Sequence, residues 1–305
     1  MVHADYVAKL DVLLPSPCTL LSVNHFEVHR VSSSRRCLLF SLIAFAFTLP
    51  TLAQPAQQHI KHVLVIGDTK GFEHDSVSAA MAAIYNMGKQ SGLWDATLRT
   101  DTELLTKKKL GNNAKNLDYF DAIVFASTTG EILTDPDQRT DMLSAIHDEG
   151  KGFVGIHAAL DTNYTWPEYG EMIGGWFDQH PWFTFDAPII NEAPDSPIVK
   201  QFPKAFTKHD EIYQPKAWSR DKVNVLLSLD PAKLDYNNPR VHRADHDFAV
   251  AWTKMYGKGH VFYSTLGHTV EAWDDPQIRT MYFEAVKFAL GLTEASTTTH
   301  PRPAQ

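Results

Sequence analysis

Short, continuous apolar runs alternate along this chain with segments whose apolar residues recur at helical spacing, and the order of the two predicts the fold. Lys61-His-Val-Leu-Val-Ile-Gly67 is a β-branched run closed by glycine, the pattern of a parallel strand covered on both faces. After the polar loop Asp68–Ser76, the residues Ala79, Ala80, Ala83, Ile84 and Met87 give a helix from about Ser76. Asp95–Arg99 reads as a weaker second strand. Asp101–Leu110 reads as a polar connection with helical potential, its Lys107–Lys109 run a solvated face. Tyr119–Ala126 is a third strand. Pro136–Glu149 is a helix that opens on Asp and Pro and stops at Gly150, and Phe153–Ile156 is a fourth strand running into a turn at His157. Strand and helix in this alternation predict a right-handed, doubly wound, mostly parallel α/β sheet.

Past Asp161 the pattern changes. Tyr164–Pro181 is rich in aromatics and glycine and too irregular for a plain helix, which suits a lid or pocket wall. Phe183–Asn191, Val223–Leu229, Phe248–Met255 and Gly259–Ser264 read as strands, several of them antiparallel additions to the main sheet. A last helix runs from about Pro276 to Leu290 and stops at Gly291, leaving Thr293–Gln305 as a loose tail.

The amino terminus changes the setting. Arg35 and Arg36 precede the apolar run Cys37–Ala53, which ends in Thr-Leu-Ala, so residues 1–53 read as a signal peptide cut after about Ala53 and the product as periplasmic or secreted. An uncleaved anchor is the alternative, against which the shortness of the run counts. The arginine pair leaves Sec and twin-arginine export both open. Residues 1–30 fit no part of a signal, and translation is expected to start near Val31. The domain then spans residues 54–292, with 293–305 as the flexible tail. Both cysteines, Cys18 and Cys37, lie upstream of the cut, which excludes a disulfide, a thiolate metal site or a cysteine nucleophile downstream. Of 28 basic and 36 acidic residues the cut leaves 24 and 33, a net charge of −9, which excludes nucleic acid as a natural partner. No stable membrane span remains after processing, and a homo-oligomer is left open.

Twelve of the 15 histidines lie beyond Ala53, and with the carboxylates they are the strong metal ligands that remain. Four of them, His74, His157, His180 and His268, lie at strand ends or in glycine-rich loops. In a doubly wound sheet the loops at the carboxyl ends of the strands converge on one crevice. Neutral imidazoles with Asp161 or Glu211 would make a nitrogen and oxygen site suited to zinc, manganese or a similar divalent ion. Two other readings stand beside it. One is a metal-free site with His157 as acid or base oriented by Asp161 or Glu211, and the other is four hydrogen-bonded structural histidines. In His209-Asp-Glu-Ile-Tyr213, strand alternation would turn Asp210 and Glu211 to opposite sides. Trp176 and Trp252, with Tyr213 and Asp210, are the candidate contacts to a sugar ring, tryptophan faces being suited to stack on its apolar side.

With these residues quoted, the chain resembles the ThuA-like, trehalose-utilisation family, whose fold is similar to that of the class I glutamine amidotransferases. The likeness spans about residues 61–291. It rests on Gly71-Phe-x-His74-x-Ser76, Gly155-Ile-His-Ala-Ala159 with Asp161, Gly174-Gly-x-Phe-x-x-His-Pro181, Asp210-Glu-Ile-Tyr213, Ala251-Trp252 and Gly257-Lys-Gly-His-Val-Phe-Tyr-Ser-Thr-Leu-Gly-His268. It departs from the family at His260, where members usually carry arginine. The resemblance implies a small-molecule carbohydrate partner, with chemistry on oxidised sugars or glycosides. The amidotransferase cousins place a cysteine where this chain has His157, so glutamine hydrolysis by that route is excluded. The sequence therefore leads to an exported carbohydrate enzyme with histidine-based, metal-assisted acid–base chemistry, with a non-catalytic sugar-binding or scaffold module as the alternative.

Overall fold

The computed structural model describes residues 59–111 and 115–303, and the signal peptide, its cut after Ala53 and the start near Val31 lie outside the described residues. Four of its strands come early in the chain: β1 (Lys61–Ile66), β2 (Trp94–Arg99), β3 (Ala122–Ala126) and β4 (Gly152–Ile156). Helix α1 (Ser76–Ser91) joins β1 to β2, and α2 (Pro136–His147) joins β3 to β4. Next come α3 (Pro167–Ile173), β5 (Trp176–Gln179), β6 (Thr184–Asn191), β7 (Ala205–Glu211), β8 (Gln214–Lys216) and β9 (Asn224–Leu229). The antiparallel pair β10 (Ala249–Tyr256) and β11 (Gly259–Ser264) and the helix α4 (Pro276–Ala289) complete the order.

Nine strands form one mixed sheet in the order β2-β1-β3-β4-β11-β10-β9-β6-β7, and β5 and β8 form a separate ribbon. The first five strands of that order are parallel. The pairings from β11 through β10, β9 and β6 to β7 are antiparallel. Alternation along the strands divides the core: Val63, Val65, Val124 and Phe262 pack with α1 and α4, whereas Leu64, Ile66, Phe125 and Tyr263 pack with α2 and α3. A sheet covered on both faces explains why its inner strands are continuous apolar runs. The order reverses between β1 and β3, and the crevice at such a reversal, outside the strands' carboxyl ends, is where ligands bind in doubly wound sheets.

Four segments depart from the sequence pattern for identifiable reasons. Residues 101–110 do not form a helix, because the Asp141 carboxylate accepts hydrogen bonds from Thr106 Oγ1 at 3.0 Å and Lys107 N at 2.7 Å while Asn116 Nδ2 donates to Lys107 O. Those side chains satisfy backbone groups that a helix would have used. Residues 117–119 are a 3-10 turn, not the start of β3. The aromatic stretch 164–181 holds α3, opened by Pro167 and closed by Gly174 at φ +111, and then β5. The tail is irregular as expected but not loose: Ser296 O accepts hydrogen bonds from Asn224 Nδ2 at 2.8 Å and Thr253 Oγ1 at 2.7 Å, and Arg302 pairs with Asp247 at 3.1 Å. Among the described residues no helix is long and apolar enough to cross a membrane.

Candidate active site and metal centre

Three of the loops that leave the carboxyl ends of parallel strands each deliver one histidine to the same point. His74 lies on the loop from β1 into α1, His157 follows β4 directly, and His268 lies four residues beyond β11. Glu211, the last residue of β7, completes the group, and one donor atom from each of the four lies within 4.8 Å of all the others. All but His268 are buried.

His157 is held hardest. It takes φ +44, in the left-handed region that costs a non-glycine residue about 1–2 kcal/mol, at the head of a 3-10 turn. Its Nδ1–H donates to the Thr265 carbonyl at 2.6 Å, and its own carbonyl accepts from the Tyr263 hydroxyl at 2.7 Å. With the proton committed to Nδ1, the neutral ring presents a lone pair at Nε2, the tautomer and orientation of a metal ligand or general base. That Nε2 lies 3.1 Å from His268 Nδ1 and 3.5 Å from Glu211 Oε2, and His268 Nδ1 lies 3.4 Å from the same oxygen. Zinc bonds to nitrogen and oxygen of about 2.0–2.2 Å give tetrahedron edges of roughly 3.3–3.6 Å, close to all three separations. His74 stands edge-on to both other rings, with centroids 4.9 Å from His157 and 5.2 Å from His268. Its Nδ1 is buried without a hydrogen-bond partner, a costly condition that a bound group would relieve. The donor set and its spacing thus fit a divalent ion.

The electrostatics follow from crowding three imidazoles around one carboxylate. Burial, then the neighbouring His157 and His268, pull the His74 pKa down to about 3. Burial and His157 also lower His268. Burial pushes Glu211 up, but the imidazole of His157, 3.5 Å away, and then the charges of His268 and His180 outweigh that and hold it below the ordinary range. Near neutral pH the centre is therefore a carboxylate beside neutral rings at His74 and His268.

His180 sits on the far side of Glu211, its Nδ1 3.6 Å from Oε1 and buried without a partner. Its imidazole stacks on Phe177 with centroids 5.7 Å apart. It thus flanks the centre across the carboxylate, separate from the three-histidine group. Asp161 is half-buried and accepts a hydrogen bond from the Tyr164 hydroxyl at 2.5 Å, and burial raises its pKa. Tyr213 lays its ring 4.4 Å from that of His157, and Phe177 stands behind it at 4.4 Å, so this residue contacts the centre as a packed wall.

The other expected sugar contacts lie elsewhere. Asp210 is fully buried, and its carboxylate accepts from the backbone N–H groups of Glu211, Gly267 and His268 at 2.8–3.0 Å. It therefore anchors the loop that carries His268, in which Gly267 takes φ +113. Trp252 is fully buried, its ring tilted against that of Tyr263 with centroids 4.4 Å apart, and its indole N–H donates to the Ile173 carbonyl. Trp176 points away from the centre because its neighbour Phe177 faces it, and it lines a separate recess of about 550 Å³ with Lys254. Alternation did separate Asp210 from Glu211. What sequence reasoning missed was the Thr265 carbonyl, a backbone acceptor that no side-chain pattern reveals. It also missed Phe72, which abuts His74 at 4.8 Å and stands inside the Gly71–Ser76 motif.

A ThuA-like protein from Bacteroides uniformis is similar at 21% identity and TM-score 0.59, over 78% of this chain and 94% of its own. A second, from Parabacteroides merdae, is similar at 18% identity and TM-score 0.56, over 80% and 93%. At such identity the likeness carries the fold alone. No curated protein matches the chain. The profile of the ThuA family, described as trehalose utilisation, matches residues 62–289, well over half of the sequence, and the chain belongs to that family.

Proposed function

We propose that the protein is an exported enzyme that uses a divalent ion, zinc or manganese, for acid–base chemistry on a sugar, a keto-sugar or its glycoside. The observation that carries this reading is the meeting of His74, His157, His268 and Glu211 within 4.8 Å, with His157 oriented by a carbonyl behind it. Those four residues would hold the ion, which when bound would polarise a carbonyl or hydroxyl oxygen. The chain's own groups divide the remaining work. Glu211 supplies the negative charge, and Thr265 and Asp210 fix the two imidazoles nearest to it. His180, whose Nδ1 lies 3.6 Å from Glu211 Oε1, and Asp161, whose pKa burial raises, are the proton carriers at the margin, and neither belongs to the four-residue group. Tyr213 and Phe177 keep water from behind His157.

The test is metal analysis of the purified protein followed by incubation with a panel of 3-keto-glycosides. Near-stoichiometric zinc or manganese and product formation are expected in the native chain, and both are lost in His157→Ala and in Glu211→Gln. A protein without metal, whose sugar affinity is unchanged in His157→Ala, is a binding module and not an enzyme.

A further inference from the structure

One face of the centre opens into a recess of about 300 Å³ that His74 and His268 close at the bottom. That size is at the lower end for ligand clefts, about 300–1,000 Å³, and suits one sugar ring rather than an oligosaccharide. Its walls have an unusual composition. Glu73 and Asp75 flank His74 on one side, and Glu271 faces them from the other, while no lysine or arginine lines the space. Asp75 is close enough for its charge to act on His268. Lys216 and Arg240 lie over the rings of Tyr164 and Phe183, which line no part of this recess, and Lys70 of the loop before His74 pairs with Asp68. Apolar surface stands at its lip, where Phe72 is 67% exposed and Val270 42% exposed. At the bottom, His74 is 95% buried with Nδ1 unpartnered.

We propose that this recess is the substrate subsite and that it selects uncharged or cationic sugars against anionic ones, with Phe72 stacking on the apolar face of the ring. The proposal rests on the carbohydrate reading above and adds the charge class of the substrate. Three carboxylates lining a narrow cleft, on a chain whose overall charge is −8, focus a negative potential at the mouth of the centre. A uronate or phosphorylated sugar meets like charges there without a compensating cation. A neutral hexoside pays no such penalty, and an amino sugar gains. Phe72 adds contact area that is indifferent to the charge of the ligand.

The experiment uses the full chain and three ligands that share one ring: a neutral methyl 3-keto-hexoside, its amino counterpart and its uronate counterpart, each titrated calorimetrically. At low salt the neutral and amino ligands bind on the order of tenfold more tightly than the uronate, a gap that narrows near 1 M salt, where the screening length falls to about 3 Å. The double variant Glu73→Gln/Glu271→Gln brings the uronate close to the neutral ligand, and Phe72→Ala weakens all three alike. Equal binding of the uronate, discrimination that survives the double variant, or no binding of any of the three overturns the proposal. Metal content and product formation, read on the same samples, test the catalytic reading separately. Their absence leaves the order of the three affinities as the measure of the subsite.

Discussion

His157 holds a conformation that an L-residue adopts at a cost, and the structure around it shows what maintains it. The Thr265 carbonyl, the Tyr263 hydroxyl and the Tyr213 ring fix its side chain and backbone from three directions. Strain of this kind persists where the surroundings over-determine a residue, and it concentrates at functional positions. Removing the imidazole should therefore separate stability from function. His157→Gly relieves φ +44 and His157→Ala does not, so urea unfolding should find the glycine variant more stable than the alanine variant by about 1 kcal/mol or more, with both devoid of metal. A lower stability for the glycine variant would show that the left-handed conformation carries no strain. Asp210 invites a second test. Asparagine keeps its shape but leaves one oxygen to serve three backbone N–H groups, so Asp210→Asn should loosen the loop under His268 and weaken metal affinity by about 10–100-fold in a chelator competition, with the circular dichroism spectrum unchanged. Affinity that stays within a factor of two would reduce Asp210 to ordinary packing. His74, His157 and His268 were legible in the sequence as polar residues in loops that converge past the strand ends, whereas His180, grouped with them on the same pattern, flanks the centre across Glu211. The roles of Asp210, Trp176 and Trp252 were not legible, since composition says which side chains can touch a sugar and not which way the strand turns them.

At the level of elements, the inner strands were readable because burial on both faces leaves a continuous apolar signature, as in Val63–Ile66 and Phe153–Ile156. The strand β7 was not, since Ala-Phe-Thr-Lys-His-Asp-Glu lies at the sheet's edge, three of its seven residues exposed, and carries a polar alternation that a surface loop shares. The docked tail was equally silent, because its contacts are made by backbone carbonyls and two charged groups far away in sequence. Its anchor is Arg220, which forks to Glu192 at 2.7 and 3.1 Å and to Asp247 at 2.7 and 2.8 Å, while Arg302 of the tail reaches the same Asp247. Burial raises the Asp247 pKa, but the bonds and charge of Arg220, and then of Arg302, outweigh it and hold the carboxyl below its usual value. A depressed folded-state pKa gives stability that is fully present above the unfolded value of about 3.9 and is lost as pH falls through the folded value. Urea unfolding at a series of pH values should show that acid loss, and Asp247→Asn should flatten it. Arg220→Met removes the cation that the buried Glu192 and Asp247 share, leaving Asp247 only its contact with Arg302, and should cost about 3–5 kcal/mol at neutral pH. An acid limb of the same slope in Asp247→Asn would assign the effect to other carboxylates.

The whole molecule explains why a centre made from four distant segments should matter to the fold as well as to chemistry. His74, His157, Glu211 and His268 come from the loops after β1, β4 and β11 and from the edge strand β7, which sits at the end of the antiparallel half of the sheet. An ion held by all four would tie loops of the parallel half to the last strand of the antiparallel half. The unfolded chain offers no such gathered site, so binding favours the native state by mass action, about 2.7 kcal/mol when free metal stands at a hundred times its dissociation constant. Without the ion, the same cluster is a liability: two imidazoles whose pKa values are driven down, and a buried Nδ1 with nothing to bond. Chelation should therefore lower the thermal midpoint of the native chain by several degrees, and zinc or manganese should restore it. In Glu211→Gln the neutral amide binds the ion weakly, so its midpoint should already lie near that of the chelated protein and move little on chelation. A native midpoint that ignores both chelator and added metal would mean that the four residues meet for packing alone. The converging loops would then be a feature of the topology and not a site.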